Sequence, residues 1–163
     1  MMSEIQKEQI RLLASSVEQE ITGLGARFIF ICKENAPSIL NRGKDIILII
    51  NKYSFPDKSW PSLEQWIDIL PKTFTEQFPS EGDSKNLLEK DNSFSLEVWL
   101  HWIKPQNRTW YWWDSALFSE PIKDTHFVVS VKTASELPYF SASSLKWLFK
   151  ACGVMNVLSE DEL

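Results

Sequence analysis

The chain has 163 residues, of which 44% are hydrophobic, 24% charged and 13% aromatic, with a net charge of −5. These totals fit one domain over residues 1–163 with its own core, and they exclude the disordered and collagen-like classes. The acidic balance excludes the basic footprint that phosphate-backbone binding needs, no apolar run is long enough to span a bilayer, and Met1–Glu8 lacks a signal-like pattern. The expectation is therefore a cytoplasmic protein, with neither nucleic acid nor membrane as partner.

Ser3 and Gln6 have the spacing of a capping box. Ile10, Leu13, Val17 and Ile21 then recur at three- and four-residue steps, which predicts a helix over 3–22 ended by Gly23 and Gly25. Arg27–Cys32 is aromatic and β-branched and predicts a strand. Asn35–Ser38 predicts a short helical turn closed by Gly43. Ile46–Ile50 is apolar at every position and predicts a strand covered on both faces.

Ser59-Trp60-Pro61-Ser62 reads as a helix entry, followed by an apolar face of Leu63, Trp66, Ile67 and Leu70. Pro71 kinks or ends that helix, and Phe74 and Phe78 continue the stripe if a second piece follows. Residues 79–92 read as a loop. Phe94–Ile103 and Thr109–Trp113 predict a β-hairpin, and Thr125–Thr133 a further strand. Ser141 opens a last helix with Leu145, Leu148, Phe149 and Cys152 on one face and Gly153 as its stop. Helices before and after a group of strands predict an α+β fold: a single, largely antiparallel sheet of about five strands packed with three main helices.

Five of the eight tryptophans lie between Trp99 and Trp113. In a hairpin with Pro105–Arg108 as its loop, Phe94, Leu96, Val98, Leu100 and Trp102 share the core face. Across the turn, Trp102 then opposes Tyr111 and Leu100 opposes Trp113. The other face carries Trp99, Trp110 and Trp112, with His101 opposite Trp112, Trp99 opposite Asp114, and His126 from the next strand. Three explanations of that face stand side by side: it is covered by the 59–78 helix or the 79–92 loop, it docks another protein, or a sugar-like ligand stacks on its rings.

His101, His126, Glu97 and Asp114 are the one set with the chemistry to ligate a metal or move protons, although no HxH, HExxH or CxxC spacing accompanies them. No G-x-S-x-G and no glycine-rich phosphate loop is present. Cys32 and Cys152 lie in apolar stretches and read as buried free thiols. The reading is a non-catalytic protein-interaction module of accessory, immunity-like or assembly type, without a cofactor, binding a partner protein through Trp99, His101, Trp110, Trp112 and His126. The alternative is an enzyme or small-ligand-binding domain using His101, His126 and the nearby carboxylates in an aromatic cleft.

Overall fold

A computed structural model describes residues 3–13, 25–78, 95–117, 125–133 and 143–159. The expected stretch 14–22 of the first helix, the 79–92 loop, Phe94 and Ser141 lie outside these residues. Among the described residues the fold is α+β, with six α-helices and one antiparallel four-stranded sheet.

Helix α1 (Glu4–Leu13) opens with the expected capping box. The Ser3 N–H donates to Gln6 Oε1 at 2.9 Å, and the Gln6 N–H to Ser3 Oγ at 3.2 Å. Its buried stripe is Ile5, Glu8 and Leu12; Ile10 and Leu13 face outward, so the expected stripe is rotated away from the core. Strand β1 (Gly25–Cys32) follows.

The first large correction is α2 (Ala36–Lys52), which takes in both the expected turn and the expected Ile46–Ile50 strand. Its buried positions Ala36, Ile39, Leu40, Gly43, Ile46, Ile47, Ile50 and Asn51 recur at helical steps. The unbroken apolar run masked that period, because Leu48 and Ile49 are apolar but only half buried. Gly43 does not end the helix. A Cβ there would lie 2.2 Å from the Phe149 ring, so glycine permits a close approach of another helix.

Helix α3 (Leu63–Ile69) is capped by Ser62, which accepts from the Gln65 N–H at 3.2 Å while Gln65 Oε1 accepts from the Ser62 N–H at 2.9 Å. Pro71 separates it from the short α4 (Lys72–Thr75), which buries Phe74. The second large correction is α5 (Leu96–Ile103), where the hairpin's first strand was expected. Ser95 accepts from the Val98 N–H, and Leu96, Trp99, Leu100 and Ile103 form its buried face. Their i, i+3, i+4, i+7 spacing is helical, whereas the alternating set Leu96, Val98, Leu100 and Trp102 suggested a strand; the serine cap agrees with the helix.

Strands β2 (Trp110–Leu117) and β3 (His126–Thr133) precede α6 (Ser143–Cys152) and a short strand, β4 (Val154–Ser159), that the sequence reading missed. Gly153 ends α6 at φ 118°, a backbone conformation that side chains disfavour, and turns the chain straight into β4. The strand order is β2-β3-β1-β4, so β2 and β4 are the edges. Phe28 opposes Val129, Phe30 opposes Phe127, and Trp112 opposes Val131, which sets these residues on one face. Helix α6 covers that face: Phe149 meets Phe30 at 4.6 Å, Phe127 at 5.0 Å and Trp112 at 6.1 Å between ring centroids. Ile29, Ile31 and Val128, on the opposite face, are half buried and take no part in this core.

Candidate functional site

The tryptophans expected on an outer face are core. Trp99 and Trp110 are 0% exposed and Trp112 is 1% exposed. The indole of Trp99 donates to the Ser144 carbonyl at 2.9 Å, and that of Trp110 to Ser144 Oγ at 2.8 Å. One serine at the start of α6 thus satisfies two buried rings from different elements. The expectation failed because it fixed the faces of 109–113 against a strand that is a helix; the true neighbour, β3, reverses them.

The titratable set does not assemble either. His126 opens β3 opposite Ile31, with Nδ1 2.7 Å from Thr125 Oγ1. Asp114 follows a register shift in β2 and accepts from the Ser115 N–H. Glu97 and His101 lie on α5. Among the described residues no three His, Cys, Asp or Glu side chains come together as a metal site. The thiols are free and buried, and burial pushes Cys152 up to about 12 with Arg42 opposing. Burial raises Cys32 as well, so neither is an activated nucleophile.

A different arrangement keeps His101. A cleft of about 280 Å³ opens between α3 and α5. Its apolar walls are Trp60, Pro61, Leu63, Trp66 and Leu100, and its polar groups are Ser62, Glu97, His101 and Lys104. Glu97, His101 and Lys104 recur at four and three residues, the spacing that puts side chains on one side of a helix. The Asn107 side chain donates to the His101 carbonyl at 2.8 Å, which ties the 3₁₀ turn Pro105–Asn107 to the end of α5 and positions Lys104.

The aromatic wall is built in a chain. Tyr53 meets Trp66 edge-on at 5.2 Å, and Trp60 tilts against Trp66 at 5.0 Å. Trp66 is fully buried, whereas Trp60 is partly exposed. The Trp66 indole N–H has no acceptor among the described residues. A buried donor left unmet is uncommon in folded proteins. The sequence offered this site in part: Trp60, Pro61 and Trp66 were visible as a helix entry. Their meeting with His101 and Glu97 depends on residues 95–103 being helical.

A second cavity, of about 140 Å³, lies among Arg42, Asp45, Ile46, Pro71, Thr73, Phe74, Ala151 and Cys152. Its thiol, Cys152, is pushed up to about 12 by burial and is not activated. No family model matches the sequence, and neither the curated proteins nor the solved structures compared with it give a match.

Proposed function

We infer that the protein is an interaction module whose binding surface is the α3–α5 cleft, in place of the sheet face. The observation that carries this reading is the partly exposed Trp60 laid over the sealed Trp66, inside a ring of Ser62, Glu97, His101 and Lys104. Apolar rings at the centre with polar groups of both signs around them is the anatomy of an interface hot spot. The volume favours a protein partner over a large cofactor. About 280 Å³ is at the small end of small-molecule sites, and it suits an anchor of one or two side chains.

Panning a random peptide library against the protein tests the reading. Bound peptides should lose affinity roughly tenfold or more on Trp60→Ala or His101→Glu, in variants whose circular dichroism shows the fold kept. Selected peptides that bind the wild type and both variants equally would remove the cleft from the account. A small-ligand reading has one observation in its favour, the carboxylate of Glu97 one helical turn from the imidazole of His101. Binding of small aromatic acids or amines in preference to every peptide would select it.

A further inference from the structure

We propose that the cavity among α2, α4 and α6 binds a free α-amino acid with an apolar side chain, its carboxylate held by Arg42, its ammonium by Asp45 and its side chain by the apolar floor. The residues around this cavity are not those of the α3–α5 cleft, so the two sites stand or fall separately. Three helices build it. Arg42, Asp45 and Ile46 lie at i, i+3 and i+4 on one side of α2. The Pro71 break and α4 bring Thr73 and Phe74 against them, and the last turn of α6 brings Ala151 and Cys152.

The charges at the mouth carry the proposal. Arg42 and Asp45 are of opposite sign and about one helical turn apart, a spacing at which such side chains commonly pair. Among the described residues neither side chain takes part in an ion pair or a hydrogen bond, and the Thr73 hydroxyl beside them has no partner either. Both charged residues are exposed, so a ligand arriving from water meets them. Burial raises the Cys152 pKa and the Arg42 charge opposes it, which sets that charge near the cavity floor. A guanidinium grips a carboxylate through two parallel N–H donors, and a carboxylate accepts from an ammonium. A free α-amino acid brings both charges on one carbon. A chain terminus brings one of them, and an internal peptide segment brings neither.

The floor sets the side chain. Ile46, Phe74 and Ala151 are apolar and buried, and Cys152 adds an uncharged thiol. The volume is about 140 Å³. An apolar cavity of about 150 Å³ holds one benzene molecule. The floor therefore admits one branched aliphatic side chain or one phenyl ring, and it excludes a peptide stretch or a large cofactor. A charged side chain entering it would lose its water and gain no partner, which selects leucine over lysine or glutamate.

The test is titration of the full chain with L-leucine, followed by nuclear magnetic resonance at the backbone amides of Ala151 and Cys152. Isocaproate, which lacks the ammonium, isoamylamine, which lacks the carboxylate, and glycine, which lacks the side chain, serve as comparisons. Leucine should shift the two amide signals saturably below about 10 mM, and each analogue should bind weaker by roughly tenfold or more. Arg42→Gln and Asp45→Asn, both at exposed positions, should each weaken leucine roughly tenfold. The Arg42→Gln protein should also bind leucine no better than isoamylamine. The absence of a saturable shift at those amides overturns the proposal. So do analogues that match leucine, or variants that bind it as the wild type does. A leucine-ended peptide that binds as tightly as the free amino acid overturns it too, and assigns the cavity to a chain terminus.

Discussion

Glu8 and Arg108, 100 residues apart in the chain, meet as an ion pair with both side chains fully buried. Glu8 also accepts from Asn51 Nδ2 at 3.0 Å and from the Trp112 N–H at 2.6 Å, so its carboxylate joins α1, α2, β2 and the residue that follows the 3₁₀ turn. Arg108 donates through Nε to the Trp110 carbonyl and lies over the rings of Trp110 and Tyr111. Arg108 Nη1 and Asn51 Oδ1 find no partner among the described residues. A buried pair that is incompletely matched is weak evidence for net stability, and its clearer effect is to fix where α1 docks.

Breaking the pair should still be costly. Glu8→Ala and Arg108→Ala should each lower stability by about 3–5 kcal/mol in urea unfolding, because either leaves a buried charge alone. The double variant should lose less than the sum of the two. Strict additivity would show that the two groups do not couple.

Trp110→Ala should cost about 3–5 kcal/mol, with the loss read in the midpoint of denaturation. Ser144→Ala, which deletes only the hydroxyl that receives the Trp110 indole, should cost about 1–3 kcal/mol. A Trp110→Ala protein as stable as the wild type would contradict the buried placement.

Gly43→Ala should destabilise by about 1–3 kcal/mol although alanine is the better helix former, since the added methyl meets the Phe149 ring. Pairing it with Phe149→Leu should return part of the loss. A stabilised Gly43→Ala would mean that α2 and α6 do not approach so closely.

Cys152 should resist thiol reagents in the native state near neutral pH and react on unfolding. Its folded pKa is raised above the ordinary value, so above pH 9 the unfolded chain releases this proton first. The contribution of this group to stability is therefore intact below pH 9 and falls as pH rises toward about 12. A Cys152→Ala variant should show a shallower alkaline decline in melting temperature.

The sequence was most legible where a cap or a break gave a local reason for the element. Ser3 with Gln6, Pro71 and Gly153 each do in the fold what their chemistry implies. It misled where everything in a run was apolar. Ile46–Ile50 and Leu96–Ile103 carry few polar positions to show which period governs; both lie in helices, the second opened by the Ser95 cap. One error carried into the site: with α5 taken for a strand, the faces of β2 were inverted, and Trp110 and Trp112 were assigned outward. His101 belongs to the cleft because Glu97 and Lys104 share its side of α5, a relation invisible to a strand reading.

The two contacts at Trp112 reach beyond the attachment of α1. Strand β2 ends the sheet, and the Trp112 N–H and carbonyl turn away from β3 toward Glu8 and Arg11 Nε. Those are the main-chain groups that an uncovered border strand would offer to a neighbouring molecule. Removing the first thirteen residues would bare those two groups and also strip Arg108 of its buried partner, so such a chain should be destabilised as well as open at this edge. Helix α1 thus occupies the two Trp112 main-chain groups on the outer side of this border strand.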